Sequence, residues 1–222
     1  PFDDLLAAKR IAASDVTFAV PRRNWTTGTT YDIYRNDYGD RITGTTTALT
    51  SNSGATNLFD ANFFVLTTAR NVYKCLDNDN NTASTVEPTG TSTTVLSTAD
   101  GYKWKYMYTL SASQQANFLS TDFMAVETNS TVSSAAVDGA IDVVKIKTAG
   151  SGGANGTHTG IAIRGDGSNG QVSVTVAGGV VTAVTVTNAG TGYTFGTISN
   201  AQIVAAGATS LTGAELDVII PP

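Results

Sequence analysis

Between residues 102 and 109, aromatic side chains alternate with polar or flexible ones. The aromatic positions are Tyr102, Trp104, Tyr106 and Tyr108, and the positions between them are Lys103, Lys105, Met107 and Thr109. A period of two is the period of a β-strand with one buried face. We therefore expect a strand here, with its aromatic side chains in the core rather than on a ligand platform.

Two segments on the N-terminal side of this stripe also predict strands. Val16, Phe18 and Val20 alternate, and Pro21 should close that strand because proline lacks a backbone N–H. A further strand is expected to begin at Phe63 and to continue towards Leu76. The polar run after it, Asp77 to Asn81, predicts a turn.

The C-terminal part of the chain predicts a hairpin and contains an internal repeat. Valines at 172, 174 and 176 precede a Gly-Gly pair, and the run Val180 to Val186 returns after it, which is a hairpin signal. The repeat has an offset of 40 residues, and each copy predicts a strand that a glycine turn ends. It matches Val144, Ile146, Ala149, Gly150 and Gly152 with Val184, Val186, Ala189, Gly190 and Gly192.

Helical patterns are few and short. Phe2 to Ile11 places its apolar residues near one helical face and begins with two aspartates, which favour a helix N-terminus. Ser111 and Gln114 have the spacing of a capping box, which predicts a short helix through Leu119.

These patterns predict a mainly β fold: sandwich-like sheets, a few short helices and two β-rich domains. The domains are expected at residues 1–130 and 139–222. The boundary is placed in Asn129 to Asp138, because that segment has neither a periodic pattern nor large apolar side chains. Two repeats are too few for a solenoid, which needs about three stacked units.

Composition supports this prediction and narrows the classes of function. Only 14% of residues are charged, against about a quarter in average proteins, and Thr, Gly, Ser and Asn are abundant, as in sheets and turns. A net charge of −5 argues against a nucleic-acid partner, which requires a concentrated basic face. No run approaches the roughly 18 apolar residues of a membrane span, so we expect a soluble chain. Cys75, the single cysteine, cannot form an internal disulfide and is expected to be buried.

Sequence signals for catalytic or metal chemistry are weak. His158 is the only histidine and lies in a Gly-rich stretch, where an imidazole is hard to hold for catalysis. Asp77, Asp79 and Asn81 match the first alternating ligands of a calcium loop. The match then fails, because Thr82 and Pro88 stand where such a loop has Gly and Glu. A polar hairpin tip is the better interpretation, and no catalytic, metal or cofactor residue is predicted.

Four separated strings point to one family. They are VPRRNWTTGTTYDIYRNDYGD from Val20, FFVLTTARNVYKCLD from Phe63, STVEPTGTST from Ser84 and DGYKWKYMYTLS from Asp100. Together they resemble a baseplate wedge protein of contractile-tailed bacteriophages, the wedge subunit that forms a β-rich homodimer. The resemblance spans roughly Phe2 to Val126. It implies a structural virion protein without catalytic residues or cofactors, which contacts other baseplate wedge proteins within the tail baseplate after assembly in the host cytoplasm.

This resemblance directs attention to side chains that could contact other subunits. Arginine and tryptophan are enriched at the centre of protein interfaces, although a solvated edge with one anchoring tryptophan is the alternative interpretation. The first set of interface candidates is Arg22, Arg23, Trp25, Tyr31, Tyr34 and Arg35, and the second set is Arg70, Tyr73, Lys103 and Lys105.

Two other functions remain open from the sequence. The first is a carbohydrate-binding or glycan-processing tail module, in which Trp104 and its neighbouring tyrosines would stack on sugar rings. Its carboxylates would come from among Asp37, Asp40, Asp60, Asp100 and Asp122. The second is a decoration or host-adhesion protein that uses the Gly/Val-rich repeats, which resemble a β-rich module of phage tail and capsid proteins.

Overall fold

A computed structural model describes residues 10–35 and 53–220 of the chain. Its secondary structure is mainly β, which confirms the predicted fold class. The strands are β1 (Ala19–Pro21), β2 (Phe64–Leu66), β3 (Asn71–Asp77), β4 (Leu96–Ser97), β5 (Lys103–Thr109), β6 (Phe123–Ala125), β7 (Val143–Ser151), β8 (Gly156–Ala162), β9 (Arg164–Gly165), β10 (Gln171–Ala177), β11 (Val180–Asn188), β12 (Gly196–Thr197) and β13 (Thr212–Ile219). The helices are a 3-10 turn (Ala13–Asp15), α1 (Ala112–Phe118), α2 (Ser130–Ala135) and α3 (Asn200–Ala205).

The strands form several small antiparallel sheets. The largest has four strands in the order β2-β3-β5-β4, and a three-stranded sheet has the order β11-β10-β8. The remaining sheets are the pairs β1–β6, β7–β13 and β9–β12. Residues of β11 contact β7, so the two copies of the sequence repeat lie side by side.

The aromatic stripe lies in β5 and faces the core, as the sequence predicts. Trp104 is fully buried, stacks on Tyr102 with ring centroids 5.3 Å apart, and meets Tyr31 edge-on at 5.7 Å. Lys103 and Lys105 project from the other face and are only partly exposed. The pleat of this strand thus separates an aromatic face, which is buried in the core, from a lysine face, which carries Lys103 and Lys105.

In the part of the chain that the structure describes, the core consists of three clusters of buried side chains. One lies between the four-stranded sheet and the segment Tyr31–Tyr34, a smaller one lies beneath α1 and β6, and the third fills the C-terminal part of the chain. Val143 and Ile219, at the paired ends of β7 and β13, belong to the first of these clusters. The C-terminal strands therefore contribute to the N-terminal core, and the division into two domains stays a prediction.

Several local predictions are correct. The valine hairpin forms from β10 and β11, and its two turn residues, Gly178 and Gly179, have φ of 61° and 80°, which glycine adopts without strain. Cys75 is buried. Ser111 caps α1 by accepting a hydrogen bond from the Gln114 N–H at 3.2 Å. The capping box is incomplete, however, because the buried Oε1 of Gln114 has no hydrogen-bond partner in the described part of the chain.

Other local predictions are wrong. The strand expected from Phe63 towards Leu76 is a hairpin of β2 and β3, and its turn includes Arg70 at a φ of 64°. The segment Asn129 to Asp138 contains α2, which the sequence pattern did not indicate and which Asn129 caps through its side chain, and the domain boundary itself stays a prediction. β1 covers only the last part of the strand predicted from Val16 to Val20, since that strand ends at Pro21 but begins at Ala19. The helix predicted for Phe2 to Ile11 lies almost wholly outside the described residues.

The two copies of the repeat share a backbone conformation at their glycines. Gly150 and Gly190 have φ of 69° and 63°, and Gly152 and Gly192 have φ of 76° and 72°. The first glycine of each copy lies against backbone, since an added Cβ would come within 2.7 Å of the Thr212 carbonyl oxygen at Gly150 and 2.5 Å of the Ser168 oxygen at Gly190. The first copy departs from the prediction, because β7 continues past Gly150 to Ser151.

We expect Trp104→Ala to lower the free energy of unfolding by about 3 to 5 kcal/mol, because it removes a large, fully buried ring. Trp104→Phe should cost much less, since the indole N–H has no hydrogen-bond partner in the described residues to lose. Chemical denaturation of both variants measures the difference. Equal losses for the two would contradict the packing argument.

The crowding at Gly190 predicts a contrast with Gly192, where an added Cβ meets nothing within 4 Å. Gly192→Ala should cost only the left-handed backbone strain of about 1 to 2 kcal/mol. Gly190→Ala should cost a further 1 to 3 kcal/mol or so, because the backbone must move. Thermal unfolding of the two variants checks this order. An equal loss of stability would show that the backbone near Ser168 can move at little energetic cost.

Candidate interaction surface

Four of the ten predicted interface residues are buried within the chain, and their contact with a partner stays a prediction. Tyr31, Tyr34 and Tyr73 are 1%, 6% and 1% exposed, and Arg35 is 5% exposed. The Tyr31 hydroxyl accepts a hydrogen bond from the Thr26 N–H at 2.7 Å, and burial raises the pKa of Tyr31. These side chains are buried because the sheet supplies neighbours that are distant in sequence, and sequence spacing does not reveal such neighbours.

Arg35 is held by an ion pair within the chain. Its guanidinium donates a hydrogen bond to Asp217 on β13, far away in sequence. An ion pair with little exposure to solvent is costly to break, because separation leaves a buried charge without its partner. Arg35 therefore joins the N-terminal segment to the C-terminal strands.

Tyr34 and Tyr73 also make contacts inside the chain. The Tyr34 ring meets Phe63 edge-on at 5.5 Å, and the Tyr73 ring meets Tyr106 at 5.8 Å. The Tyr73 hydroxyl donates a hydrogen bond to the Gly90 carbonyl. Both rings thus fix the packing of the four-stranded sheet.

The first three candidates lie nearer the surface. Arg22 donates a hydrogen bond to the Ser120 carbonyl at 2.8 Å, and Arg23 donates to the Ala61 carbonyl while its guanidinium lies 4.9 Å from the centre of the Phe64 ring. Burial lowers the pKa of Arg23, although Asp32 and Asp60 oppose that shift. These arginines are half-buried and positioned by the chain, and their role at an interface stays a prediction.

Trp25 is also half-buried. Its backbone N–H donates to the Leu66 carbonyl at 2.9 Å, and its indole N–H donates to Ser84 Oγ at 3.1 Å. Ser84 in turn donates to Asp100 at 3.1 Å. Burial by itself would raise the pKa of Asp100, but hydrogen bonds from Thr98 and from the backbone of Val86 and Thr85 hold that pKa below its ordinary value. Trp25 is therefore anchored, through Ser84, to the ionised carboxylate of Asp100.

The second set of candidates is dispersed. Arg70 occupies the turn between β2 and β3, and its carbonyl accepts a hydrogen bond from the Leu110 N–H at 2.9 Å. Lys103 lies 3.6 Å from Asp77, and Lys105 forms an ion pair with Asp142. Both lysines are thus paired within the chain, and they share the lysine face of β5.

A surface that the sequence did not predict is formed by β1, β6 and the residues next to them. Four apolar side chains are exposed there: Val16 (61%), Phe18 (87%), Phe123 (54%) and Val126 (41%). We call this surface the β1–β6 ribbon. The Val126 N–H donates to the Phe18 carbonyl at 2.8 Å, which places these two residues opposite each other beyond the last ladder pair.

The ribbon exposes apolar groups on both of its faces. Val20 pairs with Met124 and Pro21 with Phe123, so alternation places Phe123 on the face opposite to Met124. Met124 is fully buried in the core. The alternation of Val16, Phe18 and Val20 was the available sequence signal. It predicts a strand, but it does not show that Val16 and Phe18 are exposed to solvent.

The residues with candidate metal-binding or catalytic roles make contacts within the chain. Asp77, the first residue of the partial calcium motif, lies 3.0 Å from the Lys145 ammonium as well as near Lys103. His158 lies in β8 rather than in a loop, and its Nε2 is 3.1 Å from the Ala154 carbonyl oxygen. Across residues 10–35 and 53–220, no three His, Cys, Asp or Glu side chains are grouped closely enough to hold a metal ion. The helices in those ranges are all too short or too polar to cross a membrane.

Comparison of the chain with protein-family models, with curated proteins and with solved structures found no match.

The contacts of Trp25 predict that its ring stabilises the fold. Trp25→Ala should lower the free energy of unfolding by about 2 kcal/mol, because the ring is half-buried and packs against the core. Trp25→Phe should lose only about 1 kcal/mol, mainly the hydrogen bond to Ser84. Urea unfolding of both variants measures this. Unchanged stability of Trp25→Ala would contradict the view that packing of this ring against the core stabilises the fold.

Proposed function

We propose that the chain is a non-enzymatic structural protein of a contractile phage tail baseplate, a wedge subunit that links neighbouring wedge proteins. In this proposal it forms a homodimer within each wedge and transmits the conformational change that accompanies sheath contraction. It belongs to the virion and is assembled in the host cytoplasm. The motifs between Val20 and Ser111 suggest the family, and the exposed β1–β6 ribbon is the observation that carries a role in assembly.

The ribbon supports this role through its exposed surface. A phenylalanine that is 87% exposed, such as Phe18, gains little from folding of its own chain. Burial against another protein would remove its apolar surface from water, and clusters of exposed apolar side chains commonly mark contact sites. Arg22 lies at the end of the ribbon, where its backbone N–H donates to the Asp122 carbonyl at 2.8 Å. Apolar and arginine side chains together have the composition of an interface.

The core argues against one form of the glycan-binding alternative. Trp104 and the tyrosines of β5 are all buried, with exposed fractions of 0 to 8%. Rings packed against each other inside the sheet cannot stack on a sugar. A glycan site would need other aromatic side chains, and the sequence motif that suggested this function does not supply them.

The test uses Phe18→Asp with Phe59→Asp as its matched control, because both phenylalanines are 87% exposed and Phe59 lies outside the ribbon. We expect Phe18→Asp to shift the purified dimer towards monomer in sedimentation velocity, while Phe59→Asp leaves the dimer intact. Thermal unfolding should be unchanged in both, since neither ring is buried in the chain.

The same variants test the place of the chain in a particle. Cross-linking of tails produced from the genome that encodes the chain should connect the ribbon to wedge proteins, and Phe18→Asp should lower incorporation of the chain into baseplates. Purified tails that lack the chain, or an equal effect of Phe59→Asp on incorporation, would refute the proposal.

A further inference from the structure

A cavity of about 300 Å³ lies on the lysine face of the four-stranded sheet. Its floor is formed by β3 and β5, and α2 and the residues before β7 form its sides. Its lining residues include Lys74, Val95, Lys105, Met107, Val132 and Asp142. This volume is at the lower end of the range for small-molecule sites, about 300 to 1,000 Å³.

Lys74 is the unusual residue of this cavity. Only 4% of it is exposed, and its ammonium makes no hydrogen bond or ion pair with any described residue. The Tyr34 ring lies against the ammonium, with its centre 4.6 Å from Nζ. A buried ammonium ordinarily requires an anionic or strongly polar partner, and a single aromatic face replaces little of its lost hydration.

The neighbouring charges leave one positive charge unbalanced. Lys74 is directly opposite Lys105 in the ladder of β3 and β5, and Lys105 is paired with Asp142. Two lysines and one aspartate therefore carry a net charge of +1 when Lys74 is protonated. Burial and then the charge of Lys105 lower the pKa of Lys74 to about 7, against a smaller opposing effect of Asp142.

The rest of the cavity wall is mostly apolar. Val95 and Met107 lie beside the lysines, and α2 contributes Val132 and Ala135. α2 (Ser130–Ala135) contains no charged residue, so among the described residues the charged groups beside Lys74 are Lys105 and Asp142, and the Tyr34 ring lies against its ammonium. An occupant that complements this wall has one negative charge at one end and a short apolar body.

We propose that the cavity binds a small monocarboxylate, whose carboxylate accepts hydrogen bonds from the Lys74 ammonium and whose apolar body packs against Val95, Met107 and Val132. The carboxylate would supply the direct counter-charge that no described residue gives Lys74. This site does not depend on the proposed assembly role, because none of its lining residues belongs to the β1–β6 ribbon.

The experiment uses the full chain with ¹³C-labelled lysine and sodium hexanoate as the probe. We expect hexanoate to cause a saturable NMR shift of the Lys74 Cε signal, which is assigned by its loss in Lys74→Met. Bound carboxylate stabilises the ammonium, so the pKa of Lys74 should rise on binding. Above the pKa of free Lys74, the affinity should fall by about tenfold per pH unit, because the neutral amine must first take up a proton.

Matched controls test the role of the charge. Lys74→Met keeps the length of the side chain and should abolish hexanoate binding, followed through the Met107 methyl signal. Lys103→Met removes a lysine that is paired with Asp77 and is not among the lining residues, and it should leave binding unchanged. Hexan-1-ol has the same apolar body without the charge and should bind at least tenfold more weakly.

Three results would overturn the proposal. One is the absence of a saturable Lys74 shift in wild-type protein at millimolar hexanoate. Another is equal binding of hexanol, which would show an apolar cavity without a role for the ammonium. The third is undiminished hexanoate binding by folded Lys74→Met. The comparison of hexanoate with hexanol is made on wild-type protein through the Met107 methyl signal, so it does not depend on whether the variant folds.

Discussion

The pleat of β5 is the constraint on which the structure of this chain depends. Successive side chains of a strand point to opposite faces, so the aromatic residues of this segment enter the core together and the lysines between them leave it together. Trp104 then fixes the position of Tyr31, and Lys105 lies opposite Lys74. Displacement of the strand by one residue would bury lysines and expose rings, so the register of the sheet is strongly determined.

The lysine face is also partly buried, but ion pairs rather than packed rings hold it in place. Lys103 is near Asp77, Lys145 is paired with the same carboxylate, and Lys105 is paired with Asp142. Such pairs hold their elements in register, because removal of one partner leaves the other charge desolvated. Asp77 and Lys145 come from β3 and β7, so this electrostatic contact links the first sheet to the C-terminal strands. Arg35 and Asp217 make a second link of this type.

The sequence predicted those parts of the fold that depend on neighbouring residues. The alternation in β5, the glycine turn between β10 and β11, and the serine cap of α1 all follow from side-chain periodicity or local backbone preference. The 40-residue repeat was also informative, since Gly150 and Gly190 share a left-handed conformation and a close backbone neighbour. Local rules predict these features because their causes lie within a few residues or within one turn.

Features that depend on distant residues could not be predicted in this way. Tyr31 and Tyr34 have the composition of an interface, yet the four-stranded sheet covers them. The turn at Arg70 interrupts a run that looks like one continuous strand, because the hairpin allows Phe64 to pair with Lys74. That pairing has a consequence for function: Lys74 becomes a central-strand residue between Phe64 and Lys105, where neither neighbour can neutralise its charge. A lysine on an edge strand would reach water, whereas burial on this central strand favours the neutral amine and lowers the pKa of Lys74 to about 7.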